Sequence, residues 1–390
     1  MFLQQTLARN PGLIQAAVAL HQKGQIEPDT YILDLDAITE NAQIILQRAQ
    51  DLGLKLYFMT KQLGRNPLIA SRLQDLGFAG AVAVDWREAL TLAAAGIKLG
   101  HVGHLVQVPE KVLPALLQAR PEVITVYSMA KARSIAAIAV QQGYTQKILL
   151  RVLGLQDILY PGQYGGFTLD ELPLVVKELQ KLSGLTVAGV TSFPCFLFNE
   201  QKKQVEATPN VATLRTAVQI LKDSGCHVEQ INMPSATCCA VLPEMARLGG
   251  THGEPGHGLT GTTPLHAVSA QPEKPAYVYV SEISHNLEER SYCYGGGYYR
   301  RSHMAAALVG NTFDTLQTLK TLPVAAETID YHLGLAGNAP VGATCVLAFR
   351  TQIFVTRSKV AVVAGISKGQ PRILGLYDSQ GLLLKNSSTA

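Results

Sequence analysis

The chain has 390 residues, 47 % of them hydrophobic and 16 % charged, with a net charge of +4 at neutral pH. That length suggests two domains. The composition excludes a disordered chain, and 34 Gly with 19 Pro exclude a collagen-like or low-complexity one. The charge is small and no Lys/Arg cluster stands out, so nucleic-acid binding has no electrostatic footprint.

Residues 1–29 carry a helical pattern at Leu13, Ile14, Ala17, Val18 and Leu20, closed by Gly24 and Pro28. Beyond it, short β-branched runs alternate with longer amphipathic stretches. Strands are predicted at 31–35, 54–59, 79–84, 102–105, 123–127, 148–152, 186–190 and 227–232. Helices are predicted at 37–51, 68–76, 86–95, 109–118, 130–142, 169–181 and 211–224, with Asp36 capping the first and Asp85 the third. Alternation of this kind fits a barrel or a doubly wound sheet, and eight units favour the (β/α)8 barrel. From about residue 275 the pattern changes to short β runs at 277–283, 292–294, 345–349, 352–356, 359–363 and 372–376, with little helix. The expected architecture is α/β: a helical segment at 1–29 packing on the C-terminal domain, a TIM-type barrel at 30–272 and a mostly β domain at 273–390. The polar tail 385–390 is expected to fray.

The six cysteines show no C-x-x-C pair and no Cys/His metal spacing, so they read as free thiols in a reducing compartment, with no metal. The N-terminus lacks the layout of a signal peptide. The longest charge-free stretches are broken by Pro194 and by His332, Asn338 and Pro340, so no membrane span is expected. The protein is expected to be soluble and cytoplasmic.

Barrel chemistry sits where strands end. Lys61 follows the apolar run 54–59 almost directly. A desolvated lysine there has a lowered pKa and is a competent nucleophile toward carbonyls; a rim lysine, exposed or paired with a carboxylate, satisfies the same pattern. The run 253–261 sets glycines around Glu254-Pro255-Gly256-His257, whose backbone N–H groups can cradle a phosphate, with Ser235 adding a hydroxyl; a plain strand-to-turn corner is the other reading. In the β domain, 292–301 holds three glycines among four tyrosines. It is either a tight hairpin or a loop presenting a tyrosine for proton transfer. The scattered histidines His101, His104, His227 and His303 read as structural or surface residues.

Together these pieces resemble the alanine racemase-like, fold-type III pyridoxal-phosphate (PLP) enzymes, and their YhfX-like branch in particular. Residues 31–38 with Asn41 resemble the family's opening strand and helix. The resemblance places Lys61 at the cofactor-binding lysine, Ser235 at the phosphate-binding serine and Tyr294 at the second catalytic base. Glu254-Pro255-Gly256-His257 is similar to the Glu-Pro-Gly-Arg of the decarboxylase branch, whose glutamate meets the pyridine nitrogen; the racemase branch has an arginine there. Departures accompany these matches. Tyr164 or Gln163 stands where racemases carry the arginine for the substrate carboxylate. Ser192 replaces the histidine that supports the catalytic tyrosine, and Arg65 a phosphate-contacting tyrosine. Gly342-Ala343-Thr344-Cys345 lacks the aspartate of the decarboxylase Cys-Asp motif, and no zinc-ligand pair is found.

The resemblance implies an enzyme acting at the Cα of an amino acid or related amine, most simply a racemase or epimerase. Lys61 and Tyr294 would exchange the proton, while Arg65, Ser235, Gly256, His257 and Tyr377 would contact the cofactor. Glu254 would sit at the ring nitrogen, and Tyr164, Gln163 and Ser192 near the substrate. It also implies a homodimer with shared sites. Decarboxylation, elimination and non-catalytic PLP binding are the alternatives.

Overall fold

The computed structural model describes residues 1–386. The chain divides into two compact units: one formed by Ile44–Thr60 and Ala70–Gly256, the other by Met1–Gln43, Lys61–Ile69 and the chain from His257 onward.

The first unit is a parallel barrel. Its strands are Lys55–Leu56 with Phe58–Met59, Ala81–Ala83, Leu99–Val102, Val123–Val126, Gln146–Leu153, Leu185–Thr191, Gln230–Asn232 and His252–Gly253. Lys55–Leu56 pairs with His252–Gly253, and Phe58–Met59 pairs with Ala81–Ala83. The two ends of the sheet are therefore halves of one extended run, 55–59. Helices such as Trp86–Ala94, Met129–Gln141, Leu172–Leu179 and Asn210–Asp223 cover the strands with periodic apolar faces. Asp85 caps its helix, accepting from the Glu88 N–H at 2.9 Å. Val123, Leu149 and Ala188 meet on the inside as one small apolar layer. Gly100 is required there, because a Cβ would lie 2.2 Å from Cδ1 of Tyr57.

The second unit is built on a sheet ordered Gln317–Lys320, Ala306–Gly310, Thr344–Leu347, Tyr277–Leu287, Thr30–Asp34, Lys359–Ala364, Arg372–Tyr377 and Leu383–Asn386. Arg290–Tyr294 and His332–Ala336 extend it from Tyr277–Leu287. The N-terminal helices Phe2–Arg9 and Pro11–Gln22 bury Phe2, Leu13, Ile14, Ala17 and Val18 against Val278, Val280, Val346 and Ala361 of that sheet. Fully burying a Phe, Leu, Ile or Val side chain contributes about 1.5–3 kcal/mol.

Four expectations need correction. The run 352–356, expected to be β, holds the 3-10 turn Ile353–Val355. The run 31–35, expected to open the barrel, is strand Thr30–Asp34 of the second sheet. It lies between Tyr277–Leu287, antiparallel, and Lys359–Ala364, parallel. All five of its residues are buried, so its apolar run carries no mark of which sheet it joins. The barrel's eighth position is filled by His252–Gly253. The cap of helix Leu35–Asp51 is Asp34, whose Oδ1 accepts from the N–H groups of Asp36 and Ala37, both at 3.1 Å. Asp36 instead accepts from the Gly365 N–H at 2.7 Å. Of the tail expected to fray, 387–390 lie outside the described residues, while Lys385 belongs to strand Leu383–Asn386 and pairs with Leu376.

No helix among the described residues is long and apolar enough to cross a membrane. The six cysteines form no disulfide.

Candidate active site

At the C-terminal ends of the barrel strands, a polar layer stands one step above the apolar one. Arg151 pairs in register with Thr191, and Thr191 with Asn232, across three adjacent strands. In-register residues of parallel strands share a face, so these three side chains point the same way. Glu254 lies just past the final strand. Its Oε1 meets Nδ1 of His101 at 2.6 Å and accepts from Nδ2 of Asn232 at 2.8 Å. Nε2 of His101 meets Thr125 Oγ1 at 2.5 Å. The backbone N–H of Glu254 donates to Thr237 Oγ1 at 3.2 Å, tying it to the Ser235 loop.

Burial alone would push the Glu254 carboxyl up. The positive potential of His101 and His104, with hydrogen bonds from His101 and Asn232, outweighs it and holds the pKa at about 2. Glu254 is therefore a carboxylate, 4 % exposed, whose Oε2 is buried with no hydrogen-bond partner among the described residues. A carboxylate oxygen left this way calls for a donor from a ligand. The protonated ring nitrogen of PLP is such a donor, so this part of the site fits that cofactor.

Ser235 adopts φ 98° and Ala236 φ 53°, two consecutive left-handed residues without a glycine. Backbone strain of this kind is held in place by its surroundings and clusters at ligand sites, and here the Ser235 hydroxyl donates to the Phe196 carbonyl at 2.7 Å. Gln163 accepts from Arg151 Nη2 through its backbone carbonyl at 2.7 Å. Tyr164 is 66 % exposed. Ser192 is fully buried and accepts from Asn210 Nδ2 at 3.0 Å, so its hydroxyl is already engaged within the barrel wall.

In the second unit, Lys61 opens a short 3-10 turn, Lys61–Leu63, two residues after strand Phe58–Met59. His257 faces Thr262 Oγ1 through Nδ1 at 3.1 Å, while its Nε2 is buried with no hydrogen-bond partner among the described residues. Burial pushes its pKa well below the usual value, and the positive charges of Arg350, Lys61, His266 and Arg301 push it further. A neutral imidazole N–H set among lysine and arginine charges fits a phosphate group. Arg65, at φ 53°, is buried, donates to Gln380 Oε1 at 2.7 Å and lies 5.0 Å from the Phe354 ring. Tyr377 ends strand Arg372–Tyr377 with its ring over Gly375 and only 5 % exposed.

Tyr294 ends strand Arg290–Tyr294 and is 39 % exposed. It stands opposite His332, with ring centroids 5.8 Å apart. The three glycines after it thread a crowded path rather than a hairpin. A Cβ on Gly295 would lie 1.8 Å from the Asp330 carbonyl oxygen, and one on Gly296, at φ 121°, 2.0 Å from Asp29 Oδ2.

The structure thus gathers Ser235, Glu254 and Gly256 at one end of the barrel, and Lys61 with His257 in the other unit. It also supplies residues that sequence reasoning passed over: His101, Thr125, Arg151, Thr191, Asn232, Arg301 and Arg350. His101, read as structural or surface, is the direct partner of Glu254.

Residues 33–264 match the family described as alanine racemase, N-terminal domain, and residues 278–373 match the YhfX-like C-terminal domain. The chain is 49 % identical over 384 residues to the protein YhfX of Escherichia coli (strain K12), covering 98 % of this chain and 99 % of that one. The chain belongs to the alanine racemase-like family, in its YhfX-like branch. This is a family of PLP-dependent enzymes. Among solved structures, the fold is similar to D-threonine aldolase from Filomicrobium marinum, with TM-score 0.68 and 17 % identity over 91 % of this chain and 95 % of that one. It is also similar to alanine racemase of Clostridium difficile 630, with TM-score 0.64 and 15 % identity over 90 % and 98 %. D-threo-3-hydroxyaspartate dehydratase from Delftia sp. HT23 gives TM-score 0.65 and 17 % identity over 89 % and 97 %. One fold thus serves proteins with different reactions, and the reaction here must be argued from side chains.

Proposed function

We propose that this protein is a PLP-dependent enzyme acting at the Cα of an amino acid or related amine, as a racemase or epimerase. The observation that carries the reading is Glu254, a buried carboxylate with Oε1 held by His101 and Asn232 and Oε2 without a hydrogen-bond partner among the described residues. When bound, PLP supplies an electron sink for the negative charge that develops at the substrate Cα.

The residues divide the work. Glu254 holds a proton on the ring nitrogen, because opposite charges close together favour ionisation of both. Ser235, its hydroxyl turning from the Phe196 carbonyl, would bind the phosphate with Gly256 and His257; Arg65, bonded to Gln380, and Tyr377, at the end of its strand, would support the surrounding structure. Lys61 holds the cofactor through its amine and moves the Cα proton on one face. Tyr294, exposed at a strand end, moves it on the other, and acts from the partner subunit of a C2 homodimer. Gln163 and Tyr164 border the substrate, and Ser192 positions the wall behind it. We place the enzyme in the cytoplasm, which six thiols without a disulfide support.

Glu254 also favours a second reading, decarboxylation or elimination, since the resemblance puts a glutamate in the decarboxylase branch. Incubating D- and L-amino acids with the protein in deuterated water separates the readings. Exchange of the Cα hydrogen with the carboxylate retained supports racemisation. Release of carbon dioxide or of a keto acid supports the second reading, and no turnover of any amino acid would leave PLP binding without catalysis.

A further inference from the structure

Arg151 is fully buried inside the barrel. Its Nη1 donates to Tyr127 Oη at 2.5 Å, its Nη2 donates to the Gln163 carbonyl at 2.7 Å, and its guanidinium lies 4.9 Å from the Tyr127 ring. Every one of these partners is neutral, and Arg151 makes no ion pair among the described residues. A buried cation without a counter-ion is unfavourable by several kcal/mol, and such groups in native proteins are paired or meet a ligand.

Its surroundings repeat the same pattern. Nε of Arg151 is buried with no hydrogen-bond partner among the described residues, and so are Oγ1 of Thr191 and Oε1 of Gln163. Arg151 and Thr191 stand side by side in register and share a face with Asn232, which bonds Glu254. The Nε–H of Arg151 and the hydroxyl of Thr191 therefore lie on one face at the strand ends, the face that also carries Asn232, the partner of the proposed ring-nitrogen group. An N–H donor and an O–H donor on one face match the two oxygens of a carboxylate.

We infer that Arg151 and Thr191 form the receptor for the substrate's carboxylate. The inference deepens the proposed function and rests on its reading of the substrate as an amino acid. It also accounts for Gln163 and Tyr164 standing where an arginine was expected: the cation comes from the barrel strand rather than from the loop. The loop closes over it through one bond, Gln163 carbonyl to Nη2, in a segment that includes Gly162, Gly165 and Gly166 at positive φ. Entry of the carboxylate replaces that carbonyl as an acceptor. The pair thus assigns a substrate that carries a carboxylate, an amino acid rather than a simple amine.

The test reads Arg151 directly in the full-length protein, as purified and with PLP added. Arginine side-chain ¹⁵Nε–¹H spectra are recorded during titration with propionate, methylphosphonate and chloride, and Arg151→Gln identifies the resonance. Propionate should move the Arg151 signal saturably and chloride should not. Thr191→Val, which removes one donor and keeps the shape, should weaken propionate binding about 10-fold, the worth of a hydrogen bond to a charged group. No saturable shift with propionate would overturn the receptor, as would unchanged affinity in Thr191→Val. Methylphosphonate binding tenfold tighter than propionate would overturn the carboxylate assignment. Should Arg151→Gln fail to fold, Arg151→Lys identifies the signal instead. The titration needs no turnover. Saturable propionate binding in a protein that takes up no added PLP would therefore sink the cofactor reading and leave this one standing.

Discussion

Nδ1 of His101 lies 2.6 Å from Oε1 of Glu254, and neither side chain reaches solvent. The two residues are 153 positions apart, and barrel closure brings them together. Asn232 and Thr125 complete the group, so the carboxylate is anchored at one oxygen and open at the other. This arrangement gives Glu254 a fixed charge and a fixed direction before any ligand arrives, which is the preorganisation that electrostatic catalysis relies on.

Removing the imidazole should expose the cost of that charge. His101→Phe leaves a buried carboxylate short of its main partner, and breaking a buried pair this way destabilises by about 3–5 kcal/mol. Urea unfolding should show it as a lower midpoint. The double variant His101→Phe/Glu254→Gln should recover part of the loss, because the unpaired charge is gone. Equal stability of wild type and His101→Phe would show that the pair contributes nothing.

The same carboxylate should leave a signature in the acid range. Its folded pKa of about 2 lies below the ordinary value of 4.5. A depressed carboxylate contributes stability that is fully present above the unfolded pKa and is lost as pH falls through the folded one. From 4.5 down to about 2 this amounts to about 3 kcal/mol. Unfolding free energy measured at pH 5 and pH 3 should fall more steeply in wild type than in Glu254→Gln. Parallel slopes would remove the carboxylate from the acid transition.

Catalysis should depend on the charge rather than the shape. Glu254→Gln keeps a hydrogen-bonding group of the same size, so PLP should still bind, while a lost charge-assisted interaction of about 2–3 kcal/mol should lower kcat about 30–150-fold. A wild-type rate in PLP-loaded Glu254→Gln would exclude Glu254 as the ring-nitrogen partner.

Much of this was legible in the sequence. The β/α alternation and the change to short β runs near residue 275 both appear in the structure, because each rests on local periodicity. What was lost depends on distant pairing. Strand Thr30–Asp34 joins partners about 250 and 330 residues away, and a run buried on both faces looks the same in a barrel or a sheet. His252–Gly253 is two residues long, too short to leave a period. The strand expected at 102–105 lies at Leu99–Val102, so His101 stood outside the expected element and read as a structural or surface residue. Lys61 and Glu254 stood out as candidates because their motifs are contiguous. Arg151 and Thr191 did not stand out, because only strand register makes them neighbours.

A shared site requires two chains. If Tyr294 acts on the Lys61 site of its partner, mixing inactive Lys61→Ala with inactive Tyr294→Phe should restore about a quarter of wild-type activity, since random reassortment of two subunit types creates one intact site in each mixed dimer. No recovery after verified subunit exchange, or full activity in a stable monomer, would contradict a site completed in trans.

The central claim is that Lys61 carries PLP, and the direct measurement is borohydride reduction of the purified protein followed by peptide mass mapping. Reduction fixes an aldehyde cofactor onto the amine that holds it. The label should fall on the peptide containing Lys61, the protein should be yellow before reduction, and Lys61→Ala should lose both colour and label. A label on another lysine, or a colourless protein that takes up no PLP, would contradict the account.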